Sequence, residues 1–239
     1  MRFGIAVFPG TWSDTDCHHV VAGILGQQAE YVWHRKTSLE SYDCVIIPGG
    51  FSYGDYLRPG AMASLAPVMD AVRRYANGGG LVIGICNGFQ VLCEAGLLPG
   101  ALLRNQHLEY RCQWTNLRTE RVDTPFSNRC SSGQILQVPV SHGEGNYFAD
   151  EATLDRLEQD GRVLFRYCDA QGEATESANP NGSAHNIAGI TNESGNVLGM
   201  MPHPERSCEA LLGSEDGNLI FQSIIDSCND APIESPRVR

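Results

Sequence analysis

Short apolar runs alternate with segments of helical spacing through the first hundred residues, and this pattern predicts a parallel sheet flanked by helices. Residues 3–8 (FGIAVF), 31–34, 44–48 (CVIIP) and 81–85 (LVIGI) read as buried strands. Residues 14–26 and 66–76 have helical spacing, the second stopped by Gly78, Gly79 and Gly80, and a further helix starts directly after Cys86 and runs to Glu94. The second half reads differently. Residues 135–140 (ILQVPV), 162–167 and 187–191 suggest antiparallel or mixed strands, and 172–184, rich in Gly, Asn, Ser and Pro, reads as a surface loop. A last helix is expected near residues 218–227.

Composition narrows this picture without supplying a function. The 239 residues are 42% hydrophobic, enough for a substantial core, and no linker or internal repeat divides them. One α/β domain over residues 1–229 is expected, with 230–239 a loose tail. The formal charge of −11 argues against a nucleic-acid or acidic-membrane partner. Nine scattered cysteines without a C-x-x-C pair suggest neither a disulfide framework nor a metal site. No signal-like or membrane-spanning apolar run stands out, so a reducing, cytoplasmic setting is the expectation.

The chemistry concentrates in LVIGICNGFQVLCEAGLL. Gly84-Ile85-Cys86-Asn87-Gly88 has the form G-x-C-x-G, a cysteine version of the nucleophile elbow, in which a strand turns sharply into a helix. Small residues on both sides allow the turn, the sulfur is presented at the carboxyl end of the sheet, and the helix N-terminus favours a thiolate. A nucleophilic thiolate needs a base that can later act as an acid. His203, in VLGMMPHPER, is held between Pro202 and Pro204, and Glu205 two residues on can fix its tautomer. His142 is the runner-up, with a structural or subunit-contact role expected for it.

The order G-x-C-x-G followed far downstream by P-H-P-E resembles the class I (triad) glutamine amidotransferases. Three stretches, PGGFSYGDYLRPGA (48–61), GICNGFQ (84–90) and PVSHGEG (139–145), look within that group like the glutaminase subunits of phosphoribosylformylglycinamidine synthases, and the similarity reaches to about Asn229. The resemblance implies a flavodoxin-like α/β fold with a mostly parallel central sheet and helices on both faces. It implies Cys86 as nucleophile, His203 as general base and acid, Glu205 as orienting carboxylate, and the backbone N–H groups of Gly50 and Asn87 as oxyanion donors. Gln90, Ser141, Gly143 and Glu144 are then the glutamine-binding residues. Glutamine would be hydrolysed to glutamate and ammonia through a glutamyl thioester. The ammonia would pass to a large synthase subunit, assisted by a small accessory subunit, which uses ATP and magnesium to convert formylglycinamide ribonucleotide to its amidine.

Independent features agree with this reading. Gly49 and Gly50 allow close backbone approach to a substrate, an oxyanion needs aimed donors, and Gln90 projects from the same helical face as Cys86. The thioester half-reaction needs no metal or organic cofactor, and no G-x-x-x-x-G-K-[ST] loop occurs, so no nucleotide site is expected in this chain. A cysteine peptidase or chaperone-like hydrolase often carries His directly after the nucleophile, where Asn87 stands here. An amidotransferase of another pathway is disfavoured by PGGFSYGDYLRPGA, and an inactive binding subunit by the complete triad. Tyr53, Asp55, Tyr56 and Arg58 lie in the glycine-rich loop and are candidate contacts for a partner.

Overall fold

The computed structural model describes residues 1–229; the expected tail, 230–239, lies outside the described residues. Eleven strands and five α-helices are present among them, with shorter helical turns between. The strands are β1 (Arg2–Val7), β2 (Gln28–Trp33), β3 (Cys44–Ile47), β4 (Leu81–Ile85), β5 (Ala101–Leu103), β6 (Arg111–Thr119), β7 (Ile135–His142), β8 (Asn146–Phe148), β9 (Val163–Cys168), β10 (Ile187–Thr191) and β11 (Val197–Met200). The helices are α1 (Asp14–His18), α2 (Pro67–Asn77), α3 (Asn87–Glu94), α4 (Glu151–Gln159) and α5 (Gly217–Asn229).

Nine strands form one sheet in the order β2-β1-β3-β4-β11-β10-β9-β6-β7. The first five are parallel to their neighbours, and from β11 onward each pairing is antiparallel. This is the expected α/β architecture, with a parallel half continued by an antiparallel one. The central strands are continuous apolar runs because both faces are covered: Val45, Ile46, Val82, Ile83, Val197 and Leu198 have no exposure. The outer strand β2 instead alternates toward solvent, exposing Tyr31 and Trp33. Helix α2 begins with Pro67 at its first position and buries Val68, Met69, Ala71, Val72 and Ala76, so its helical spacing reflects a single buried face.

Several boundaries depart from the sequence reading. The helix expected over 14–26 is α only through His18 and then continues as a π turn, His19–Ile24, where Leu25 N–H bonds the Val20 carbonyl. The ring of His19 lies over Gly23, where an added Cβ would approach Nδ1 to 3.1 Å, so the wider turn suits the absence of a side chain there. The second strand starts at Gln28 rather than 31, its polar first half being tolerated at a sheet edge. Strands β5, β6, β8 and β11 and helix α4 carry no signal that marks them in the sequence reading. The loop 172–184 is not wholly a surface feature, because Asn181 and Ser183 are buried at its end.

The elbow is where the fold positions chemistry. A Cβ on Gly88 would lie 1.8 Å from the Ile47 carbonyl oxygen, and one on Gly84 would meet the Gly88 carbonyl oxygen at 2.7 Å. Both contacts are too close to relax, so β3, β4 and α3 can approach one another only with glycine at these positions. Cys86 is left between them at φ 52°, ψ −106°, a conformation that non-glycine residues rarely adopt and that is characteristic of functional turns.

Candidate active site

Cys86 sits at the carboxyl end of β4, immediately before α3, with its N–H bonded to the Met200 carbonyl of neighbouring β11. Three residues after β11, His203 is fixed by its own N–H to the Pro139 carbonyl of β7, at 2.8 Å. The chain therefore ties Cys86 and the histidine segment to one another through the sheet. His203 Nδ1–H donates to Glu205 Oε1 at 2.6 Å, and both side chains are almost fully buried. The other ring nitrogen, Nε2, has no partner of its own among the described residues.

Gly49 brings the two halves into register. A Cβ there would come within 2.8 Å of His203 Cε1 and 3.4 Å of Cys86 Cβ, so the histidine ring and the cysteine flank the same bare Cα. Burial works against a charged His203, but Glu205 first and the Cys86 sulfur next overcome it and raise the ring to about 10. The imidazolium form is thereby favoured. His142, also buried, contrasts with it: burial first, then repulsion from His203, lowers it to about 3. Its Nε2 accepts from Asn181 Nδ2 at 3.0 Å, an arrangement that suits a neutral ring. Asn181 also donates to the Gly145 carbonyl, which fixes His142 beside the 143–145 turn.

These groups open onto a cavity of about 380 Å³, large enough for an amino acid. Cys86, His203, Gly50, Gln90, Ser141, Gly143 and Glu144 all line it. Glu205 lies behind His203 rather than in the wall. Ser141 and the runner-up His142 are the last residues of β7, and the Ser141 carbonyl is 3.6 Å from Cys86 Sγ. Tyr110, not singled out by sequence, reaches the wall and shares a hydrogen bond with Ser141 Oγ at 2.9 Å.

The oxyanion candidates have distinct settings. Gly50, at φ +143°, lies beside residues 10–12, where Phe51 N–H bonds the Gly10 carbonyl and Trp12 N–H bonds that of Gly49. Asn87 opens α3, so its N–H has no intrahelical acceptor. The Asn87 side chain is wholly buried and organises the opposite wall. Its Oδ1 accepts from Ser52 N–H at 3.1 Å and Ser52 Oγ at 2.5 Å, and its Nδ2 donates to Gln90 Oε1 at 2.8 Å and Asp55 Oδ1 at 3.3 Å. Gln90 Nε2 then donates to the Glu144 carbonyl at 2.6 Å, joining α3 to the 143–145 turn. Asp55 thus lines the cavity, a placement the sequence did not reveal. Arg58 points the other way and is held by Glu94 through two contacts of 2.6 Å.

A strained cysteine elbow at the carboxyl edge of a mostly parallel sheet, faced by a buried His–Glu pair, defines a class. The chain belongs to the CobB/CobQ-like glutamine amidotransferase domain family, whose pattern matches residues 1–217. Within that class it is 58% identical over 226 residues to phosphoribosylformylglycinamidine synthase subunit PurQ of Moorella thermoacetica, covering 95% of this chain and 96% of that one. The same subunit of Salinibacter ruber is 56% identical, over 94% and 96% of the two chains. The structure of PurLQS from Thermotoga maritima contains a chain with a TM-score of 0.84 and 42% identity, covering 95% of this chain and 98% of that chain. A glutaminase domain of Trypanosoma brucei CTPS with bound acivicin shares the fold at a TM-score of 0.60 and 13% identity.

Proposed function

We propose that this chain is the glutaminase subunit of a phosphoribosylformylglycinamidine synthase, releasing ammonia from glutamine for a separate synthase subunit in purine biosynthesis. The observation that carries the reading is the pairing of Cys86 with the buried His203–Glu205 couple inside a cavity of amino-acid size. Near-full-length identity to subunits of that name supports the pathway.

Cys86 Sγ attacks the side-chain amide carbon of glutamine, and the oxyanion is received by the N–H groups of Gly50 and Asn87. His203 gives a proton to the departing nitrogen, the carbon–nitrogen bond breaks, and ammonia leaves a glutamyl thioester on Cys86. His203 next takes a proton from water, the hydroxide adds to the thioester carbon, and the carbon–sulfur bond breaks to release glutamate, leaving the Cys86 thiolate beside a protonated His203 as at the start. Glu205 accepts from Nδ1–H throughout and steadies the charged ring. Gln90, Ser141, Gly143 and Glu144 hold the amino-acid end of the substrate. This sequence needs no metal or organic cofactor, since the thiolate is the nucleophile and the histidine supplies the protons. ATP and magnesium belong to the large synthase subunit, which a small accessory subunit joins. A cytoplasmic setting fits this role; among the described residues no helix is long and apolar enough to cross a membrane.

Partner docking fits the mouth of the cavity, where Trp12 and Phe51 are 71% and 48% exposed beside the glycine-rich loop. That loop carries the Gly50 donor and a run of left-handed residues, Tyr53, Gly54 and Asp55. Docking of the synthase moves or stiffens it and completes the oxyanion hole. Steady-state glutamine hydrolysis is therefore expected to rise at least about tenfold, roughly 1.4 kcal/mol, when synthase, its substrate and nucleotide are added. Arg58→Ala, which frees the loop from Glu94, should lower this stimulation more than the basal rate. Equal rates with and without the synthase would show a site already complete and remove the loop from the account.

A further inference from the structure

Asp55 is a carboxylate without a cation. It lines the same cavity as Cys86, and among the described residues no Lys, Arg or His forms an ion pair with it. Arg58, three residues away, is committed to Glu94. The second carboxylate in the cavity wall, Glu144, is near enough to raise Asp55 by repulsion. Burial, followed by Glu144, brings the Asp55 carboxyl up to about 6, while the bond from Asn87 acts in the opposite sense. Two carboxylates thus share one end of the cavity, and of the two only Glu144 has a cation beside it among the described residues, Arg104 at 3.7 Å.

The local structure is built to keep the carboxylate there. Tyr53, Asp55 and Leu57 all have positive φ, at 55°, 54° and 70°, and Asp is among the side chains best suited to that region. Behind them stands Asn87, fully buried, whose oxygen is occupied by both donors of Ser52. That leaves its NH2 no choice but to point at Asp55 and Gln90. A buried amide, next to Cys86 in the chain, is thus oriented to position an acid that has no structural counter-ion in the wall of the same cavity. A zwitterionic amino acid with its side-chain amide at Cys86 brings an ammonium group that loses water on entry and needs an anion. A pocket that leaves such a group unmatched discriminates strongly between substrates with and without it.

We infer that Asp55 receives the α-ammonium of glutamine, with Glu144 as its electrostatic partner, and so selects an amino acid over a simple amide. The inference rests on the glutaminase reading and adds to it a residue that reads the substrate's charged end. Removing the charge affects recognition of that end and leaves the elbow and the His203–Glu205 couple in place.

The test compares glutamine with glutaramate, the same molecule lacking the α-amino group, using the chain assembled with its synthase and Asp55→Asn and Asp55→Ala variants. Asn retains the hydrogen bond geometry and tolerates positive φ; Ala removes the side chain, and thermal melting of each variant shows whether it is folded. The wild-type complex should prefer glutamine by at least about thirtyfold in kcat/KM, since a charge-assisted contact is lost with the analogue. In Asp55→Asn the KM for glutamine should rise at least about thirtyfold with kcat within about threefold, and the preference over glutaramate should fall to about threefold or less. A folded Asn variant that keeps the wild-type preference and KM would overturn the assignment. So would an Asn variant that fails to fold while a folded Ala variant retains the preference, because Asp55 would then be structural. If the wild-type complex hydrolysed neither compound, the glutaminase reading itself would fall.

Discussion

Replacing Cys86 with Ala or Ser is expected to cut glutamine hydrolysis by about ten-thousandfold or more while the protein stays folded, since a triad nucleophile carries rate enhancement of that order. Cys86 already sits in a strained turn, and neither substitution adds volume between Gly84 and Gly88. A glutamine-like electrophile should label this cysteine alone. Of the other eight, Cys17, Cys44, Cys130, Cys168 and Cys208 are buried, and Cys17 and Cys44 are pushed far from the thiolate by that burial. Cys112 is exposed but stands on β6, outside the cavity around Cys86. Peptide mapping of the labelled protein checks both parts. Normal turnover in Cys86→Ala, or label spread over several cysteines, would dismiss the nucleophile.

The second large effect is expected at the histidine and its carboxylate. His203→Asn removes the proton acceptor and donor together, and a loss of about a thousandfold or more follows. Glu205→Gln should cost less, about ten- to a hundredfold. A glutamine can still accept the Nδ1–H bond, but the anion that raises His203 against its burial is gone. Single-turnover formation of the thioester separates the two. His142→Asn serves as the contrast: its ring is held near neutral by burial and by His203, and its Nε2 is occupied by Asn181. A greater loss at His142 than at His203 would reverse the assignment of the base.

The elbow and the His–Glu pair of the candidate site were each legible because their constraints are local, whereas joining Cys86 to His203 across the chain rested on the family resemblance. Gly84 and Gly88 flank Cys86 within one turn, and His203 and Glu205 are two residues apart, so spacing alone carries their relation. The central strands β3 and β4 were equally plain, being short runs with no exposed position. Strand β6 was not, because an antiparallel strand near the sheet edge mixes exposed Cys112, Gln113 and Trp114 with buried Thr115, Leu117 and Thr119. Helix α4 buries only Leu157 and offers no apolar stripe. Asp55 was read only as a candidate partner contact because nothing in SYGDYLR signals the four positive-φ residues, Tyr53, Gly54, Asp55 and Leu57, that shape its turn. Asn181 lay hidden in a stretch whose composition marks a loop, although its side chain holds His142. Contacts of this kind join residues far apart in the chain, and no periodicity records them.

The most direct test of the central claim follows the nitrogen. The chain is assembled with its synthase and supplied with ATP, magnesium, formylglycinamide ribonucleotide and glutamine carrying ¹⁵N in the side-chain amide, and the amidine product is analysed by mass spectrometry. The wild-type complex should transfer the label into the amidine. The Cys86→Ala complex should give no labelled product from glutamine yet still form amidine from added ammonium salt. Undiminished transfer of label by the Cys86→Ala complex would contradict the account.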